Sequence, residues 1–124
     1  MDRAELQNRT KQFALRVMKL TAALPETVQG RAIANQLMRS GTSVGANYRA
    51  ACRARSRKEF IAKMGVVIEE ADESAFWLEL VIDGHLNKAD LVQPLLAEAD
   101  ELLRIMSASR TTAIRRGREQ KPDG

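Results

Sequence analysis

The chain has 124 residues and a mass of 13.8 kDa, enough for one domain and too short for a catalytic domain beside a regulatory one. Hydrophobic residues make up 44% and charged residues 29%. Aromatics are only 4%, and seven glycines with three prolines are too few turn formers for a β-rich fold, so an all-α chain is expected. Net charge is +4. The single Cys52 excludes an internal disulfide framework or a cysteine-only zinc site, and no stretch approaches the roughly 18 apolar residues of a membrane span, so a cytoplasmic protein without membrane association is expected.

Leu6, Phe13, Val17, Leu20 and Leu24 recur at helical spacing and predict a first helix, which Pro25 stops. Pro25-Glu26-Thr27 then opens a second helix running from about Thr27 to Arg53, with Ile33, Leu37, Val44, Tyr48 and Ala51 facing inward. Its middle, residues 40–47, holds two glycines and several hydroxyl or β-branched residues, a composition that locally favours a loop. An unbroken helix is nonetheless predicted. Gly41 and Gly45 lie four apart and, with Ser40 and Ala34, form a small-residue ridge that another backbone can approach closely.

Ser56-Arg57-Lys58-Glu59 has the form of a capping box, so a third helix begins near Arg57. It carries three adjacent stripes: Phe60, Val67, Ser74, Val81; Ile61, Ile68, Ala75, Ile82; and Met64, Ala71, Leu78. Widened by Phe76, Trp77 and Leu80, this surface exceeds what one small bundle interior needs, and part of it is expected to meet another subunit. Gly84 is the predicted left-handed residue past its end, and Asn87 the predicted N-cap of a fourth helix through Leu91, Leu95, Leu102, Ile105 and Met106. Pro94 falls in its first turns. Residues 1–114 then form one antiparallel, up-and-down four-helix bundle, and 115–124 a polar, disordered tail.

Charge is segregated along the chain: residues 1–24 carry +3, 25–58 carry +6, 59–103 carry −9 and 104–124 carry +4. Arg49, Arg53, Arg55, Arg57 and Lys58 cluster at the second interhelical junction, and arginines bind phosphate bidentately, so this is the candidate nucleic-acid-binding set. The competing reading is a solvated surface, or ion pairs to the acidic third helix of a neighbouring subunit. Arg39 and Asn47 are expected as buried polar groups beside the ridge, with Glu70 or Glu73 supplying Arg39 with a carboxylate. Arg39, Ser40, Gly41, Gly45, Asn47, Phe76 and Trp77 are therefore the candidate helix-packing or oligomer-interface residues.

Carboxylate-bridged metal sites in bundles need Glu-x-x-His pairs, and the one histidine, His85, follows Gly84 in a loop, so no metal or other cofactor is expected. The Gly41–Gly45 run lacks the ending of a phosphate loop, and Cys52 and His85 stand in separate segments, so no catalytic residues are assigned.

Gln36-Leu37, Arg39-Ser40, Thr42-Ser43 and Ala46-Asn47, followed by the basic segment and then Glu69-Glu70 and Glu73-Ser74, make a pattern, QLxRSxTSxxAN…EExxES. On these residues the stretch from Gln36 to Leu80 resembles the bacterial four-helix-bundle family named for the 23S rRNA intervening sequence protein. The resemblance implies a bundle assembled as a homopentamer, and a relative in diversity-generating retroelements that binds a reverse transcriptase and nucleic acid. It implies no enzymatic activity. Two readings follow: a non-enzymatic oligomeric module presenting basic surface to RNA, DNA or a protein partner such as a polymerase, or a purely structural, protein-binding assembly factor.

Overall fold

A computed structural model describes residues 1–119 of the protein as four helices joined by short connections. These are α1 (Arg3–Ala22), α2 (Val28–Cys52), α3 (Arg57–Asp83) and α4 (Ala89–Glu119). Each helix packs on its neighbour in sequence, and α1 meets α4 to complete an antiparallel four-helix bundle.

Three helices start on side-chain caps that satisfy free backbone amides. Asp2 Oδ1 accepts from the Glu5 amide at 2.8 Å, Thr27 Oγ1 from Gly30 at 3.0 Å, and Ser56 Oγ from Glu59 at 3.1 Å. Thr27 is thus the cap outside α2 rather than its first residue. At Ser56 the expected box is half formed: Glu59 Oε2 turns to the Arg55 amide, at 3.0 Å, not to that of Ser56.

α2 is unbroken through residues 40–47. Thr42 Oγ1 and Ser43 Oγ donate to the Met38 and Arg39 carbonyls, at 2.6 and 2.5 Å, so the hydroxyls bond back along the helix instead of opening it. Tertiary packing decides the outcome. A Cβ at Gly41 would lie 2.7 Å from Val17 Cγ2, and one at Gly45 3.2 Å from Thr10 Oγ1, so α1 occupies the ridge.

The end of α3 departs from expectation. Gly84 is the C-cap with an ordinary φ of −85°, and the left-handed residue is His85, at φ 56°. The Leu86 amide donates to Val81 O at 2.9 Å and the His85 amide to Ile82 O at 3.1 Å, the paired bonds of a Schellman turn, whose register puts the left-handed position one residue after the glycine. Asn87 Oδ1 accepts from the Lys88 amide at 2.7 Å, and α4 starts at Ala89, one residue later than an Asn87 cap would set. The inward face of α4 is Val92, Leu95, Ala99, Leu102 and Met106, which leaves Leu91 67% exposed.

α4 runs to Glu119, so the segment from Arg115 that was expected to be disordered is helical for five residues. Its last turns lie against the start of α3, where a Cβ at Gly117 would sit 3.1 Å from Arg57 Cδ. Residues 120–124, the remainder of the expected tail, lie outside the described residues.

The core holds Phe13 and Val17 from α1, Leu37 and Val44 from α2, Met64, Val67, Leu78 and Val81 from α3, and Val92, Leu102 and Met106 from α4. Three hydroxyl residues, Thr10, Ser40 and Ser74, are also fully buried. Among the described residues no helix is long and apolar enough to cross a membrane.

Candidate nucleic-acid interface

Antiparallel packing puts the start of α1, the end of α2, the start of α3 and the end of α4 at one end of the bundle. Three positively charged stretches of sequence therefore converge there. A cleft of about 860 Å³ opens between α1 and α4 at this end, lined by Arg3, Arg9, Arg55, Arg57 and Arg116. Its apolar wall includes Leu6, Tyr48, Phe60 and Ile105.

The five arginines are held differently. Arg9 forks onto Glu98 through Nε and Nη2, at 2.8 and 2.7 Å, and this hydrogen bonding holds its guanidinium above its already high ordinary pKa. Arg3 lies with its guanidinium carbon 5.6 Å from the Phe60 ring centroid while Nη1 donates to Cys52 O at 3.3 Å. Arg55 and Arg116 make no ion pair among the described residues. Beneath them, burial first and the hydrogen bond with Cys52 second push the Tyr48 hydroxyl up, so it stays neutral.

The sequence-predicted cluster is divided by this geometry. Arg49, Arg53, Arg55, Arg57 and Lys58 are all exposed, but only Arg55 and Arg57 line the cleft. Arg49 belongs to a shallow hollow on the α1/α2 face with Lys11, and Arg53 to another with Lys63. Arg49, Arg53 and Arg57 do not share one helical face, because α2 ends at Cys52 and Ser56 restarts the chain in α3. Arg3, Arg9 and Arg116 escaped the sequence reading. The available signal was the positive charge of both chain ends, which an up-and-down topology brings beside the central junction.

The candidate interface residues form a second group along α2 and α3. Arg39 pairs with Glu73 and stands 3.6 Å from Glu70 Oε2, the predicted partners. It is not buried: its side chain is 51% exposed, because the carboxylates sit at the rim of the interface. Asn47 is half-buried and donates to Ser43 O at 2.9 Å. Ser40 is buried against Ser74, and Gly41 and Gly45 pack against α1 within the chain. Trp77 is half-buried, with Nε1 donating to Glu73 Oε1 at 3.3 Å and its ring edge-on to Phe76 at 5.1 Å. Phe76 is 50% exposed. Among the described residues no three His, Cys, Asp or Glu side chains form a metal-holding group.

The family model described as 23S rRNA-intervening sequence protein matches residues 3–108, nearly all of the bundle. The chain belongs to that family. A solved structure from Bacteroides thetaiotaomicron VPI-5482, a protein of unknown function from the S23 ribosomal protein family, is 30% identical with a TM-score of 0.76. The match covers 85% of this chain and 97% of the other. No curated protein matches the chain. The matched span ends at residue 108, so Arg116 lies outside the part this chain shares with its family model.

Proposed function

We propose that the protein is a non-enzymatic, cytoplasmic, homo-oligomeric module, a pentamer, that binds nucleic acid through the basic end of its bundle. The observation that carries this reading is the convergence of Arg3, Arg9, Arg55, Arg57 and Arg116 on one cleft, flanked by exposed Arg49, Arg53 and Lys58. Guanidinium groups gathered from segments so far apart in sequence make a field that a polyanion samples at one place. Self-assembly is supported by the half-exposed Phe76 on α3 and by Leu15 and Met18 on α1, 46% and 48% exposed. Repetition around a ring multiplies the basic surface without any new contact.

A second reading, a purely structural or protein-binding assembly factor, draws on the exposed Asp72 and Glu79 of α3, which a neighbouring subunit's arginines could meet. Fluorescence anisotropy with an RNA hairpin and with duplex DNA, at about 50 and about 200 mM salt, separates the two. The first reading expects binding that weakens more than about tenfold across that range. It also expects R53E/K58E to weaken binding while the mass by light scattering stays the same. Absence of binding at the lower salt overturns it, and loss of the assembly in R53E/K58E favours the second.

A further inference from the structure

The cleft differs in kind from the exposed basic surface around it, because it pairs surplus positive charge with an apolar wall. Arg9 is neutralised by Glu98, but Arg3, Arg55 and Arg116 face the same hollow without an ion pair among the described residues. Glu101, the one acidic residue lining the cleft among the described residues, is engaged by Arg104 at 3.3 Å. The volume, about 860 Å³, falls within the range of roughly 300 to 1,000 Å³ typical of small-ligand sites. Arg3 lies over the Phe60 ring, so the wall carries a guanidinium together with an aromatic ring. Ser56, Ser109 and Thr112 also line the cleft.

We propose that the α1/α4 cleft is a nucleotide site: it takes a nucleoside phosphate, with Arg55 and Arg116 on the phosphate and the base against the Arg3–Phe60 pair. The nucleoside phosphate is either free or the terminal nucleotide of a strand. The assignment goes beyond polymer binding and stands without it. A flat basic patch binds phosphate by charge alone, whereas this cleft also distinguishes a ligand that carries a planar ring.

Calorimetric titration of the full chain with ATP, inorganic phosphate and adenosine tests the site. Saturable ATP binding is expected, with phosphate at least about tenfold weaker and adenosine alone without measurable binding. The R55A/R116A variant is expected to weaken ATP at least about tenfold, and R31A, at the opposite end of the bundle, to change it by less than about twofold. Failure of ATP to saturate, equal binding of inorganic phosphate, or an unchanged R55A/R116A overturns the proposal. In the wild-type chain, bound ATP is expected to protect Arg55 and Arg116 from phenylglyoxal, read by mass spectrometry, and equal labelling with and without ATP also overturns it. Competition by a 5′-phosphorylated oligonucleotide but not its 5′-hydroxyl twin supports the site with a strand end as its source, and competition by neither supports it with a free nucleotide. ATP binding without RNA or DNA binding defeats only the function proposed above, and polymer binding without ATP binding defeats only this site.

Discussion

Ser40 and Ser74 meet hydroxyl to hydroxyl at 3.0 Å across the α2–α3 interface, and both are fully buried. Ser74 is the polar interruption in an otherwise apolar stripe of α3, and this contact accounts for it: each hydroxyl gives the other a partner that no water supplies. Ser74 Oγ also lies 2.8 Å from Glu70 O, which ties the pair to the helix turn above. S40A and S74A should each destabilise by about 1 kcal/mol. The double variant should cost less than the two together, leaving a coupling of about 0.5–1 kcal/mol in a urea-denaturation double-mutant cycle. Strict additivity would show that the hydroxyls act separately.

Two glycines inside helices should respond oppositely to alanine. Gly41 faces Val17, a fully buried side chain with nowhere to move, and the 2.7 Å approach forces repacking of α1. That cost, about 1–3 kcal/mol for an overpacked core, exceeds the roughly 1 kcal/mol that alanine contributes as the better helix former. G41A is therefore expected to lower the melting temperature. At Gly65 in α3 the nearest atom to an added Cβ is Arg110 Nε at 3.6 Å, an ordinary contact, so G65A should stabilise by about 0.5–1 kcal/mol. Paired thermal melts check both signs.

The helices were legible because their signals are local. The steps of Phe13 and Val17 and the cap at Ser56 each act within a few turns, whereas the glycines at 41 and 45 stay helical through packing against α1. The candidate site was legible only where it too is local. Arg55 and Arg57 stand beside a predicted junction, whereas Arg3, Arg9 and Arg116 reach the cleft through the topology of the whole bundle. The helical Arg115–Glu119 segment was hidden for a related reason. Its apolar content is low, and its neighbour, Arg57, stands on another helix.

The turn after α3 carries its glycine one place early. His85 holds φ 56°, which costs a side chain roughly 1–2 kcal/mol, while Gly84 sits at backbone angles that any residue adopts. Gly84 is still required for space, since a Cβ there would lie 2.7 Å from Leu80 O. H85G should raise stability by up to about 1 kcal/mol, part of the relief being offset by the added freedom of the unfolded chain. G84A should lower it, by about 1 kcal/mol. Chemical denaturation of the two variants beside the parent gives both values, and a stabilising G84A would refute the steric reading.

Glu70 links the α2–α3 rim to pH. Its Oε2 is buried and, at 3.6 Å from Arg39 Nη1, lies within ion-pair but outside hydrogen-bond range. Burial raises its pKa above the ordinary glutamate value; Arg39 pulls it back down, and Glu73 and Glu69 push it up further. The folded state therefore holds this proton more tightly than the unfolded chain does. The resulting stabilisation is full below the unfolded glutamate pKa and is lost as pH rises through the folded one. Wild-type unfolding free energy minus that of E70Q, followed from about pH 4 to about pH 7, should fall as pH rises and then level off. The amide keeps the shape of the side chain and leaves Arg39 bonded to Glu73, so at neutral pH E70Q should be at least as stable as the wild type. A difference that rises with pH would mean that attraction to Arg39, not burial, governs this carboxylate.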